Sequence, residues 1–276
     1  MRGNDHMKAD SHLHSAFSTD GVSEMEELVR AGIAQGFSCM IFTEHKDIGM
    51  PKEEGEDDYD FSVLDTDAYF RRGRELREKY AGQIKIGLGL EAGMLAERMP
   101  EISAFAASFA FDEIIASQHL FRGHDCYWTK YYTGLSPQNA AHAWIAEMRD
   151  NLSAMREFDI LAHPDYMLRY AGEEKDRAYS LYSDDYAPIL RMLAETGRAL
   201  EVNIGSLRRG GRITGFYQDI LRHYRDLGGE LVSIGTDAHS AEGYGTGFGL
   251  AEELLRISGF RFYAHFVNRA PETVKL

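Results

Sequence analysis

Seven apolar or β-branched runs, at residues 8–13, 37–43, 84–91, 113–118, 159–163, 199–204 and 231–236, punctuate this chain of 276 residues. Stretches with helical periodicity, at 23–35, 65–80, 137–157, 185–197 and 215–227, fall between most of them. Alternation of this kind predicts parallel βαβ units. Runs as continuously apolar as Ile114-Ile115-Ala116 and Ile160-Leu161-Ala162 suit a sheet covered on both faces, as in a closed barrel or an open doubly wound sheet. Nitrogen and oxygen side chains stand at the ends of these runs: His12, His14, His45, Glu91, His119, His163, Asp237 and His239. In a barrel all carboxyl ends meet on one rim, whereas an open sheet would spread seven of them along too wide a line to share one site. The expected fold is therefore an α/β barrel, a single domain over 1–276, a length at which α/β barrels commonly remain undivided.

A strand alternates its side chains, so His12 and His14 emerge on one face, within reach of one ion. A lone His-x-His more often marks two surface or structural histidines. Its recurrence as Asp237-x-His239, with Asp20 just beyond the first pair and Glu91 after Gly-Leu-Gly-Leu, points to metal instead. Glu91 would be costly to bury unpaired, and a position bridging two cations removes that cost. Nine such donors with no cysteine among them favour Zn²⁺, Mn²⁺ or Fe²⁺. His6, His124, His142, His223 and His265 do not follow predicted strands and read as solvated or core histidines.

The formal charge of −14, from 44 acidic and 30 basic residues, disfavours long nucleic acid and anionic lipid surfaces as partners. It leaves a small anionic substrate open, because bound cations reverse the local field. Cys39 and Cys126 form no C-x-x-C pair, and no run of about 18 apolar residues occurs. Together with the lack of an N-terminal apolar segment, this predicts a soluble cytoplasmic protein with no membrane association. Ser23, three residues before Glu26, has capping-box spacing, and Gly36 stands where a C′ glycine would. Residues 46–60 read as an exposed acidic loop. Residues 120–136 read as an aromatic loop that either closes over a ligand or packs on itself.

The set His12-x-His14, Asp20, Glu44-His45, Glu91, His119, His163-Pro164 and Asp237-x-His239 resembles, in order, the motifs of the polymerase and histidinol phosphatase (PHP) family. Within it the likeness is to the histidinol-phosphate phosphatases, through Leu161-Ala162-His163-Pro164-Asp165-Tyr166, Arg169-Tyr170, Glu201-Val202-Asn203 and Ser206-Leu207-Arg208. The resemblance implies a distorted (β/α)7 barrel with three divalent ions. One would be held by His12, His14, Glu91 and Asp237, a second by Glu91, His119 and His163, and a third by Asp20, His45 and His239. It further implies Glu91, Asp237 and His239 as catalytic residues, and Arg169, Arg208 and Ser206 as ligands of a small phosphate ester. The expected reaction is phosphomonoester hydrolysis, first of L-histidinol phosphate, by water ionised at the metals. The alternatives are another PHP activity on nucleotides or a different metabolite phosphate, and a metal-binding protein without turnover.

Overall fold

The computed structural model describes residues 7–52, 60–128, 132, 134–209 and 215–276, excepting the side chains at 174, 208 and 209. All seven expected strands form: β1 (Ala9–Leu13), β2 (Cys39–Lys46), β3 (Lys85–Gly93), β4 (Ile114–Ser117), β7 (Ile160–Leu161), β8 (Ala199–Asn203) and β9 (Val232–Gly235). They pair in parallel in that order, as one sheet. Its two edges meet: Asp237 N donates to the His12 carbonyl at 2.7 Å and His14 N to the Ala238 carbonyl at 2.8 Å. The sheet is thus nearly closed into the distorted (β/α)7 barrel expected from the sequence.

Helices α1 (Met25–Ala34), α2 (Thr66–Lys79), α4 (Pro137–Ala154), α5 (Ser183–Thr196) and α7 (Gly215–Asp226) follow the predicted periodicities within two or three residues, and α3 (Met99–Ser108), α6 (Ile204–Arg209) and α8 (Phe248–Ile257) are additional. Helix α2 is pinned to the sheet by the buried Tyr69, whose hydroxyl donates to the carbonyls of Phe42 (2.8 Å) and Gly89 (3.0 Å). The capping box of α1 lies one residue later than expected. Glu24 is the N-cap and its backbone N–H donates to the Glu27 carboxylate at 3.1 Å, while the Ser23 hydroxyl accepts from Ala241 N. The Glu27 carboxylate reaching back satisfies the N-cap N–H of Glu24 as Glu26 would have that of Ser23, so the motif survives the shift. Gly36 has φ +76°, as a C′ glycine requires.

Two antiparallel hairpins complete the fold: β5 (Leu120–Phe121) with β6 (His124–Asp125), and β10 (Phe262–Val267) with β11 (Ala270–Lys275). The second seals the amino-terminal mouth of the barrel. Phe266 packs on Ile115, Ile160, Ala162 and Ala199, and its N–H donates to Glu113 Oε2 at 2.8 Å. Asn268 and Arg269 make the turn with φ +50° and +65°, the geometry of a two-residue type I′ connection. Arg269 is fixed there by Asp159, 2.5 Å from its Nε. Because Phe266 is a fully buried aromatic plug, Phe266→Ala should lower the unfolding free energy by about 3–5 kcal/mol. A urea titration reads that loss as a lower midpoint, with metal content per folded molecule unchanged because the hairpin lies at the opposite mouth from the histidines.

No helix among the described residues is long and apolar enough to cross a membrane.

Candidate metal centre

At the carboxyl ends of the strands the side chains of β1, β2, β3 and the segments after β4, β7 and β9 converge on Glu91. His12 Nε2 and His14 Nε2 lie 3.1 Å apart, each 3.2 Å from Glu91 Oε2 and 3.7 and 3.6 Å from Asp237 Oδ1. Those separations match the edges, about 3.3–3.4 Å, of a tetrahedron around a divalent ion with bonds of about 2.0–2.1 Å. On the other oxygen, Glu91 Oε1 lies 3.1 Å from His119 Nε2 and 2.9 Å from His163 Nε2. A third group forms at the open edge, where Asp20 Oδ2 is 3.0 Å from His239 Nε2 and 3.7 Å from His45 Nε2. All nine residues expected as metal ligands are therefore brought together, with Glu91 between the first two groups.

The hydrogen bonds behind the histidines fix what their rings offer. Nδ1 of His12 pairs with Glu201 Oε1 at 2.6 Å, that of His119 with Asp47 Oδ1 at 2.6 Å, and that of His239 with the Asp237 carbonyl at 3.1 Å. His14 Nδ1 faces Ser18 Oγ at 3.2 Å, and that hydroxyl already donates to Glu44 Oε2 at 2.6 Å, so it accepts from the ring. Each of these four rings, in its neutral form, donates from Nδ1 and turns the Nε2 lone pair toward the centre. This is the arrangement of metal-ligating histidine, with carboxylates and carbonyls behind it. Without a cation the same atoms are poorly satisfied: Glu91 Oε2, Asp20 Oδ1, His45 Nδ1, Asp47 Oδ2 and His163 Nδ1 are buried with no hydrogen-bond partner among the described residues. The residues present fit a cluster of divalent ions, and nothing softer than nitrogen lies among the donors.

Electrostatics agree. Burial opposes charge on every one of these groups, yet the carboxylates Glu201, Glu91 and Asp237 hold His12 well above its ordinary pKa, and Glu91 and Asp20 do the same for His45. Asp47 and Glu91 push His119 up to about 10 against its burial. Reciprocally, burial raises and the histidines His45, His12 and His119 more than offset it, so Glu91 lies well below the carboxylate range. The protein's buried negative charge demands cations, and protons on histidine fill that role until metal displaces them.

Backbone geometry also marks the site. His163 and Asp237 both have positive φ, +21° and +52°. Non-glycine residues in that region cost of order 1–3 kcal/mol each and cluster where function fixes a side chain. Gly235 is needed for space: a Cβ there would come within 2.1 Å of Glu201 Oε1 and 2.5 Å of the His12 Cβ. At Gly93 an added Cβ would meet Asp47 Oδ1 at 1.8 Å.

A cavity of about 180 Å³ opens over the cluster. Arg169 forms part of its wall, with a side chain only 5% exposed. Its Nε and Nη2 find no hydrogen-bond partner among the described residues, and its guanidinium lies 5.2 Å from the centre of the Tyr166 ring. A buried guanidinium with unused N–H groups, facing a cation cluster across a small cavity, is suited to an oxyanion. The remaining expected ligands differ. Ser206 does not line the cavity, because its hydroxyl donates to Asp165 Oδ1 at 2.9 Å. Arg208 falls in α6, and its side chain lies outside the described residues. Residues 53–59, and 129–131 and 133 of the aromatic loop, also lie outside them. In the described part of that loop Phe121 and Tyr132 pack together in the core, as the second of the two alternatives had it, while Asp125 lines the cavity.

Asp47 and Glu201 were missed as site residues. Asp47 fell within the loop expected to be exposed, yet it is buried and holds His119 and approaches His45 Nδ1 at 3.5 Å. The correction has a simple cause: β2 runs on to Lys46, so His45-x-Asp47 repeats the alternation of His12-x-His14. Glu201 was visible as a charge inside an apolar strand run.

A family model described as the PHP domain matches residues 10–205. The chain belongs to the PHP family. It is 31% identical to the histidinol-phosphatase of Lactococcus lactis subsp. lactis, over 94% of each chain, and 30% identical to a probable histidinol-phosphatase of Clostridium acetobutylicum, over 88% of this chain and 90% of that one. Among solved structures it is similar to the Lactococcus lactis histidinol phosphate phosphatase complexed with zinc, L-histidinol and phosphate. The TM-score is 0.87 at 29% identity, covering 96% of this chain and 99% of that one. A histidinol phosphatase of Listeria monocytogenes, described as putative, shares the fold with a TM-score of 0.74 at 18% identity, over 88% of this chain and 99% of that one. The PHP match ends before Asp237 and His239, and closure of the barrel between β9 and β1 is what carries these two to the other candidate ligands.

Proposed function

We infer that this PHP protein is a metal-dependent phosphomonoesterase whose substrate is L-histidinol phosphate. The observation that carries the reading is the pairing, across one small cavity, of a buried cluster of inward-turned histidine Nε2 atoms with a buried arginine whose N–H groups are unused. The likeness to histidinol-phosphatases over nearly the whole chain supports the choice of substrate. The histidines and carboxylates around Glu91 would hold divalent ions, which would supply Lewis acidity to a phosphoryl oxygen and a water of lowered pKa. The chain's own part is to bind and orient. Arg169 takes non-bridging phosphate oxygens through Nε and Nη2, and Asp237, beside both His12 and Arg169 Nη1 (3.9 Å), holds the guanidinium and the metal ligands in one frame. Met50, Phe61, Tyr166 and Tyr170 give the same cavity apolar and aromatic surface suited to an imidazole, and Asp125 adds a carboxylate suited to an ammonium group.

The ions number three, in the groups His12, His14, Glu91 and Asp237; Glu91, His119 and His163; and Asp20, His45 and His239. Zn²⁺, Mn²⁺ and Fe²⁺ all suit nitrogen and oxygen donors without thiolate. The third group is the most open, with His239 28% and Asp20 26% exposed, and it touches Glu91 only through His45, whose Nδ1 lies 3.0 Å from Glu91 Oε2. It should hold its ion most weakly. The expected setting is the cytoplasm, where the free Cys39 and Cys126 stay reduced.

Phosphate release over a panel of metabolite phosphates, compared by kcat/KM, tests the substrate. L-histidinol phosphate should exceed mononucleotides and sugar phosphates by at least roughly 10²-fold, the discrimination available to a site that pairs a substrate's polar groups. A mononucleotide at the head of the panel would refute it.

A further inference from the structure

Arg169 sits at the end of the turn after β7, yet its guanidinium is steered by residues from a different crossover. Asp165 Oδ1 accepts hydrogen bonds from Ser206 Oγ (2.9 Å), in α6, and from Tyr217 OH (2.7 Å), in α7. Its second oxygen, Oδ2, lies 3.7 Å from Arg169 Nε. At that distance the attraction is electrostatic and the Nε–H is not consumed as a hydrogen bond. The guanidinium is thus bounded by Asp165 on one side, Asp237 on another and the Tyr166 ring on a third, while Nε and Nη2 remain available.

We propose that Asp165, gripped by Ser206 and Tyr217, is a positioning residue that fixes Arg169 for phosphate. The proposal rests on the reading of Arg169 as a phosphate ligand. Three features support it. The turn carrying Asp165 is itself anchored, because Tyr186 OH donates to the Pro164 carbonyl at 2.5 Å. Ser206 is held in place by the Asn203 side chain, which accepts from Ser206 N at 3.1 Å and donates to Asp237 Oδ2 at 3.2 Å, so the grip on Asp165 is continuous with the metal cluster. Tyr217 is fully buried, and burial together with the Asp165 carboxylate keeps its phenol well above its ordinary pKa, so it remains a donor at any working pH. A carboxylate placed to cap its own turn would need neither hydroxyl. The two donors come from beyond β8 and leave Asp165 one oxygen facing the arginine.

A double-mutant cycle on the metal-loaded enzyme tests this, with p-nitrophenyl phosphate as substrate and inorganic phosphate as competitive inhibitor. Asp165→Asn should raise KM and the phosphate inhibition constant together by roughly ten-fold with metal content unchanged, and Tyr217→Phe should act in the same direction by less. In the Arg169→Ala background neither change should cause further loss. Equal losses in both backgrounds, or no loss with Arg169 present, overturn the proposal while leaving Arg169 as a phosphate ligand. If Arg169→Ala itself leaves the inhibition constant unchanged, the reading beneath the proposal fails and the proposal falls with it. Should Asp165→Asn not fold, Tyr217→Phe and Ser206→Ala complete the same cycle.

Discussion

Glu91→Gln lowers turnover of a phosphomonoester by roughly 10³-fold or more, about 4 kcal/mol of transition-state stabilisation, and removes metal, while the barrel still folds. The two oxygens of Glu91 face different histidine Nε2 atoms, those of His12 and His14 on one side and those of His119 and His163 on the other, and His45 Nδ1 also lies 3.0 Å from Oε2. An amide keeps the size but supplies one neutral oxygen where two cations need a shared charge. Elemental analysis beside a phosphate-release assay reads both effects, and full metal occupancy with near-normal turnover would remove Glu91 from the centre. The metal-free wild type should also show a pH signature. His12, His45 and His119 have raised folded pKa values, so their contribution to stability is complete below the ordinary value of 6.5 and is lost as pH rises, through about 10 for His119. Glu91 is depressed, so its contribution is present above 4.5 and is lost as pH falls through its lowered value. These four groups favour the metal-free fold most between about pH 4.5 and 6.5, against His14 and His163, whose pKa values burial lowers and which favour it above 6.5, and metal should shift the optimum upward, because ligands bind metal deprotonated.

Arg169→Ala raises KM and lowers kcat, with kcat/KM for a phosphomonoester falling roughly 10²–10³-fold and the metals retained. The guanidinium is buried and its donors are unsatisfied without an oxyanion, so the charge-assisted bonds it forms are made in a site from which water is largely excluded. A fall in kcat beyond the rise in KM would show that the clamp tightens in the transition state. Unchanged kinetics would return Arg169 to a structural role between Asp165 and Asp237.

The barrel was legible because its strands are apolar runs that end in ligand-type residues, and a common rim is the arrangement that lets His12, Glu91, His163 and Asp237 meet. The residues of the candidate cluster were legible for the same reason, through the alternation in His12-x-His14 and Asp237-x-His239. Asp47 obeyed that alternation but was hidden by the acidic, glycine-containing sequence after it, which suggested that the strand had already ended. Glu201 supports rather than faces the centre, and a carboxylate that acts through the far nitrogen of His12 leaves no spacing signal of its own. Ser206 illustrates the converse: a hydroxyl near an arginine in sequence turned out to serve Asp165. The β10–β11 hairpin escaped notice because its turn is Asn268-Arg269, where the usual glycine at positive φ is replaced by arginine. Its exposed β11 face also carries no apolar run.

The most direct test is reconstitution of the metal-free enzyme with Zn²⁺ or Mn²⁺, following bound metal and phosphate release from L-histidinol phosphate on the same sample. The metal-free protein should be folded and inactive. Two equivalents should bind tightly with little turnover, and activity should rise as a third, weaker equivalent fills the group of Asp20, His45 and His239. Undiminished turnover by the metal-free protein would contradict the account at its centre.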